Sequence, residues 1–118
     1  MPTPPVALRT TFWSIVPSPE LKALAASKAE CLAPFHKLVS LCKLEAGLWH
    51  LHQRAGQIYR VTIELALETG GVPLYSKVEA AMGDAAADWP ALISAAFDDA
   101  VGQLRGVLAL QGARASTH

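Results

Sequence analysis

The clearest pattern in the chain is a strict alternation of side-chain character between residues 58 and 67. One side of the alternation carries only apolar or aromatic residues, namely Tyr59, Val61, Ile63, Leu65 and Leu67. The other side is mostly charged, polar or small. A repeat of two residues over this length is typical of a strand with one buried face. We therefore predict that this segment is the central strand of a sheet.

Three further segments show the same alternation and predict three more strands. Residues 6–13 give the first strand, residues 38–49 the second and residues 73–79 the fourth. Gly47 indicates a bulge or an end in the second strand, because glycine weakens a strand interior. The polar stretch 50–56 predicts a turn that joins the second strand to the central one as a hairpin.

A first helix is predicted after the first strand. Ser18 is suited to the N-cap and Pro19 to the first helical position. The positions on one stripe at helical spacing are Leu21, Leu24, Ala25, Lys28, Cys31, Leu32 and Phe35. Pro34 is expected to end or distort the helix near its last turn.

The last helix shows the clearest amphipathic pattern and is expected to start at the N-cap Asp88. Its apolar stripe consists of Trp89, Leu92, Ile93, Ala96, Phe97, Ala100, Val101, Leu104 and Leu108. Its outer face is predicted to carry Asp98, Asp99, Gln103 and Arg105. Three glycines, at positions 102, 106 and 112, should weaken the end of the helix, and the tail 113–118 should fray.

The resulting order, β-α-β-β-β-α, predicts an α+β fold in which both helices cover one face of a four-stranded sheet. The opposite face would be left to solvent and would carry Lys43, Glu45, Arg60, Thr62, Glu64, Tyr75 and Lys77. The length of 118 residues indicates a single domain, 1–118, with an ordered core from about 6 to 110.

Composition narrows the classes of protein that fit. Hydrophobic residues make up 52% of the chain and charged residues 17%, which favours a compact core over disorder. Ten basic and ten acidic residues give a net charge of zero, and this argues against indiscriminate nucleic-acid binding. The chain shows neither a signal-peptide pattern nor an apolar run of the ~18 residues that span a membrane. We expect a reduced, cytoplasmic protein without a membrane partner.

The residues that could carry chemistry do not assemble into a catalytic or metal site by spacing. His36, His50 and His52 lack a fourth ligand at a zinc-like spacing, so a polar hairpin turn is the better interpretation of the histidine pair. Cys31 and Cys42 both fall on predicted apolar faces, where thiols are usually inert. We therefore expect no catalytic residue, metal, cofactor or small-molecule substrate.

Several strings resemble the ribosome hibernation-promoting factor family, which includes the ribosome-associated inhibitor A type, also called sigma-54 modulation proteins. They are Cys42, His50, Gly56, residues 59–65 (YRVTIEL), 89–93 (WPALI) and 96–100 (AFDDA), with Gln103 and Leu104. The resemblance extends over residues 6–108. It implies the β-α-β-β-β-α fold, similar to double-stranded-RNA-binding domains, and the short form of the family without a second, dimerising domain.

The resemblance also implies a function without catalysis. Such a protein would bind the small ribosomal subunit, in the channel used by mRNA and tRNA, and keep idle ribosomes inactive under stress. Of the basic positions of the family, Lys22 and Lys28 on the first helix match. Four further candidates for contact with rRNA follow from surface placement alone: Arg54, Arg60, Lys77 and Arg105.

Two departures from the family pattern leave an alternative open. One is that Ala86 and Ala87 precede Asp88 where the family usually has His or Glu, and the other is a shortage of basic residues. Cys31 and Pro34 stand where basic residues are common, and the last helix offers only Arg105. Fewer cations mean fewer neutralised phosphates and weaker binding to RNA. The alternative is a divergent relative that has lost affinity for RNA and acts as a protein-interaction module, a homodimer formed through an edge strand.

Overall fold

The computed structural model describes residues 6–13, 18–50, 57–68, 70–81 and 88–116, with side chains for all of these except 49, 50, 57, 81 and 111–116. The elements are β1 (Ala7–Trp13), α1 (Pro19–Ala29), a 3₁₀ helix (Glu30–Phe35), β2 (Val39–His50), β3 (Gln57–Leu67), β4 (Leu74–Ala81) and α2 (Trp89–Ser116). The predicted α+β order is confirmed.

The four strands form one sheet in the order β1-β2-β3-β4. β1 runs parallel to β2, whereas β2, β3 and β4 are antiparallel to their neighbours. α2 packs on β3 and β4, and α1 packs on β1 and α2. The predicted hairpin between β2 and β3 is confirmed, although its connecting residues 51–56 lie outside the described part of the chain.

The core lies between the two helices and one face of the sheet. The predicted inward face of β3 is confirmed, since Val61, Ile63 and Leu65 are buried. Thr62 on the opposite face was expected to be open to solvent, and this is wrong, because it is buried as well. The largest fully buried side chains are Phe97, Leu32, Leu44, Ile63, Leu65, Ile93, Leu104, Val39, Val61 and Cys42. Burial of such side chains contributes roughly 1.5–3 kcal/mol each, so this cluster holds the helices on the sheet.

α1 begins as predicted but ends earlier. The Ser18 hydroxyl accepts a hydrogen bond from the backbone N–H of Leu21 at 3.2 Å, which confirms the N-cap. From Glu30 the chain continues as a 3₁₀ helix, whose three residues per turn keep Leu32 and Phe35 on the buried side. The tighter winding turns Cys31 outward, so the prediction that Cys31 lies on an apolar face is wrong.

α2 begins at the predicted cap and continues through its glycines. The Asp88 carboxylate accepts a hydrogen bond from the N–H of Ala91 at 2.7 Å, which confirms the predicted cap. The helix then runs through the three glycines to Ser116 and so includes residues 113–116 of the tail that was expected to fray. Each glycine costs about 1 kcal/mol relative to alanine, and the buried Phe97 and Leu104 anchor the helix on the sheet.

Gly47 marks neither a bulge nor a strand end. β2 continues to His50, and its irregularity lies between Val39 and Leu41. Gly47 is instead required by the close approach of β1. A Cβ atom at position 47 would lie 2.5 Å from both the Cβ and the carbonyl oxygen of Trp13.

The buried thiol of Cys42 makes stability depend on pH. Burial raises the pKa of Cys42 from 9.0 to about 12. Between these values the unfolded thiol ionises while the folded thiol stays protonated, so rising pH favours unfolding. We expect the unfolding free energy of the wild type to fall about 1 kcal/mol per pH unit more steeply than that of Cys42→Ala. Urea denaturation on both sides of pH 9.0 measures this, and parallel curves for the two proteins would contradict it.

Candidate nucleic-acid interface

The predicted rRNA-contacting residues fall on two opposite sides of the molecule. Lys22 and Lys28 lie on α1 and Arg105 on α2, and we call these three the helical surface. Arg60 and Lys77 lie on the sheet face away from the helices, which we call the open sheet face. Position 54 lies outside the described residues. The structure therefore does not bring the predicted residues together into one site.

Three cations of the open sheet face, Lys43, Arg60 and Lys77, are paired with carboxylates. Lys43 Nζ lies 3.7 Å from Glu64 Oε2, and Arg60 Nη2 lies 3.4 Å from Glu79 Oε2. Lys77 Nζ contacts the other oxygen of Glu79 at 3.2 Å. The strand register produces these pairs, because Lys43 faces Glu64 and Arg60 faces Glu79 across neighbouring strands. A phosphate bound here would have to displace a carboxylate.

A shallow depression of about 150 Å³ lies in the middle of the open sheet face. It is lined by Lys43, Glu45, Arg60, Thr62, Glu64 and Tyr75. On β1, Arg9 takes up the position beside Lys43 and adds a cation outside the ion pairs named above. The face as a whole alternates in charge, and such a pattern does not concentrate the positive potential that attracts nucleic acid.

The helical surface differs from the open sheet face in that its cations are not paired with carboxylates. Lys22 and Arg105 are exposed and Lys28 is half-buried. Within the described part of the chain, none of the three lies within 4 Å of a carboxylate oxygen. Lys28 occupies the last turn of α1, where a cation also favours the helix dipole.

The end of α1 lies beside α2. Although Cys31 is exposed as a residue, partial burial of its thiol raises its pKa; the nearby Lys28 ammonium lowers this pKa and Asp98 of α2 raises it. Lys28 and Asp98 thus both act on the same thiol, although they belong to different helices.

The sequence did not reveal a polar cluster that ties α2 to β4. Asp99 and Gln103, expected on the outer face of the helix, both reach the strand. The Ser76 hydroxyl donates to Asp99 Oδ2 at 2.6 Å, and Gln103 Nε2 donates to the carbonyl oxygen of Tyr75 at 2.9 Å. Gln103 Nε2 also lies 3.0 Å from Ser76 Oγ. The one available signal was Ser76 on an otherwise apolar strand face, and the cluster has a structural role.

In the part of the chain that the structure describes, no group of three or more His, Cys, Asp and Glu side chains could hold a metal ion. His36 Nδ1 lies 3.0 Å from the carbonyl oxygen of Ala33, at the end of the 3₁₀ helix. None of the described helices is long and apolar enough to cross a membrane. The side chain of His50 and the whole of position 52 lie outside the described part of the chain.

Neither a family model nor a curated protein matches the sequence. Among solved structures, a ribosomal subunit interface protein from Coxiella burnetii matches with a TM-score of 0.66 at 15% identity. The match covers 88% of this chain and 99% of that chain. At 15% identity the likeness shows the fold alone. That fold is the one that the family resemblance in the sequence implies. The chain thus has the β-α-β-β-β-α fold of a ribosomal subunit interface protein.

Proposed function

We propose that this protein binds the small ribosomal subunit through rRNA and keeps it translationally inactive under stress. The contact is made by the helical surface, Lys22, Lys28 and Arg105. The observation that carries the proposal is the contrast between the two sides of the molecule. The described cations of the helical surface are not engaged by carboxylates. On the open sheet face Lys43, Arg60 and Lys77 are engaged, and among the described cations there only Arg9 is not.

The fold supports the proposal. A solved protein of this fold is called a ribosomal subunit interface protein, and nearly its full length aligns with this chain. Binding to ribosomes needs no catalytic centre, and a cytoplasmic location follows from the same role. The choice of the small subunit and the inhibition of translation come from the family resemblance and are the parts that need testing.

The number of available cations sets the expected salt dependence. Each phosphate contact contributes about 0.7–0.9 to the slope of log affinity against log salt. Three contacts therefore give a slope of about −2.1 to −2.7, which is a loss of roughly 20- to 40-fold between about 50 and 200 mM salt. Arg54 would add a fourth contact if it faces the RNA.

The test is sedimentation of purified protein with isolated small and large subunits over a salt series. We expect co-migration with the small subunit at low salt, release with the slope given above, and inhibition of translation in a purified system. Absence of binding at the lowest salt, or binding that salt does not change, would refute the proposal. Binding to the small subunit without inhibition of translation would refute the proposal that the protein keeps the subunit inactive.

A second candidate is a protein-interaction module that does not bind RNA. The net charge of zero and the alternating charges of the open sheet face favour it. Trp13 and Tyr75 are 48% and 56% exposed, and exposed aromatic side chains are enriched at protein interfaces. The sedimentation experiment separates the two candidates, since a module of this kind would not follow the ribosomal subunits at any salt concentration.

A further inference from the structure

The two edge strands of the sheet differ in the hydrogen bonds that they receive from the other elements of the fold. At the β4 edge, Gln103 of α2 donates a hydrogen bond to the carbonyl oxygen of Tyr75, so part of that edge is already satisfied. At the β1 edge, no hydrogen bond from any described residue other than those of β2 reaches the strand. Alternate residues of β1 therefore direct N–H and C=O groups outward, away from β2.

β1 has few of the features that usually protect an edge strand. Natural edges carry charged side chains, especially lysine, or proline or a bulge, or are very short. β1 is seven residues long, contains neither lysine nor proline, and pairs with β2 without a register shift. Its single charged residue is Arg9. An exposed edge of this kind is a template for the addition of another strand.

We propose that β1 pairs antiparallel with β1 of a second copy of this chain, about a two-fold axis at Thr10. Thr10 is the midpoint of Ala7–Trp13, so this register uses the whole strand. The axis is perpendicular to the sheet, and the two sheets join into one of eight strands. The interface is isologous, as in most homodimers. The inference is independent of the proposed binding to ribosomes.

The sequence of β1 is self-complementary in this register on the side of the helices. Leu8 comes opposite the partner's Phe12, and Thr10 opposite the partner's Thr10. Leu8 and Phe12 pack at the edge of the core and are only partly buried, so the new pair covers apolar surface. Apolar and Thr–Thr pairs across strands are both favourable.

The pairs on the open sheet face agree with the same register. Arg9 comes opposite the partner's Thr11, and Ala7 opposite the partner's Trp13, whose side chain is 48% exposed in the single chain. No two like charges meet. A shift of the axis to Arg9 would place the two arginines opposite each other, which is destabilising. A shift to Thr11 would pair only five residues of each strand.

The proposal is tested with opposite charges at the axis. Thr10 is exposed, so Thr10→Lys and Thr10→Glu leave the core intact. In sedimentation velocity, the wild type should rise with concentration from the mass of one 12.5 kDa chain towards twice that mass. Each variant alone should stay monomeric, because two like charges meet at the axis, and an equimolar mixture of the two should dimerise again. Val72→Lys and Val72→Glu are matched controls, since Val72 is 85% exposed in the turn before β4.

A cross-link checks the register without relying on charge. Directly opposed residues of antiparallel strands have Cα atoms about 4.5–5.5 Å apart, which suits a disulfide. In a Cys31→Ser background, Thr10→Cys should form a covalent dimer on oxidation and Val72→Cys should not. A wild type that stays monomeric at all concentrations, or a Thr10→Cys protein that fails to cross-link, would overturn the proposal.

Discussion

Replacing Gly47 by alanine is expected to lower the free energy of unfolding by about 3 kcal/mol, at the upper end of the usual cost of overpacking. The new Cβ would lie 2.5 Å from the Cβ of Trp13 and 2.5 Å from its carbonyl oxygen. A backbone oxygen held between two strands cannot rotate away as the end of a side chain can. The end of β1 must therefore separate from β2, and the pairing of Trp13 with Gly47 is lost.

Urea denaturation of Gly47→Ala measures this loss. Gly102→Ala is the matched control, because a Cβ at Gly102 meets nothing within 4 Å and the residue lies inside α2. That control should be more stable than the wild type by about 0.5–1 kcal/mol, the helix preference of alanine over glycine. If Gly47→Ala unfolds at the same urea concentration as the wild type, β1 does not approach β2 as closely as described.

The strands were predictable from the sequence because alternation reports directly which side chains are buried. In β3 every second residue faces the helices, and the pattern therefore contains both the element and its orientation. The end of α1 was not predictable in the same way. α-helical and 3₁₀ winding both keep Leu32 and Phe35 inside, and only the structure shows that Cys31 leaves the apolar stripe.

The residues that carry the family resemblance specify the fold more than they specify the site. Phe97, Ala100 and Leu104 are buried in the core, and Gln103 covers the carbonyl oxygen of Tyr75. A chain can keep all of these and still change its surface charges, which explains how the fold is shared at 15% identity.

The division of the cations into two surfaces could not be read from the sequence. Arg60 and Glu79 are 19 residues apart in the chain and become partners only through the register of β3 and β4. Lys43 and Glu64 likewise face each other across β2 and β3. The composition counts these charges and those of Lys22 and Arg105 alike. Only the structure shows that Lys43 and Arg60 are paired with carboxylates.

Replacing Lys22, Lys28 and Arg105 together by glutamine is expected to weaken binding to the small subunit by on the order of a hundredfold or more near 50 mM salt. The slope of log affinity against log salt should become shallower by about 0.7–0.9 for each cation removed. The cause is the loss of counterion release at three phosphates. The measurement is the sedimentation salt series on the triple variant, with circular dichroism to confirm that it is folded.

The open sheet face offers a control with the same change in net charge. Lys43, Lys77 and Arg60 are also two lysines and one arginine, and each already lies within 4 Å of a carboxylate. Substituting these three by glutamine should leave the salt slope nearly unchanged, because no phosphate contact is lost. Equal losses from the two triple variants would mean that net charge alone governs binding. A larger loss from Lys43, Lys77 and Arg60 would place the RNA on the sheet, where the phosphates would have to displace Glu64 and Glu79.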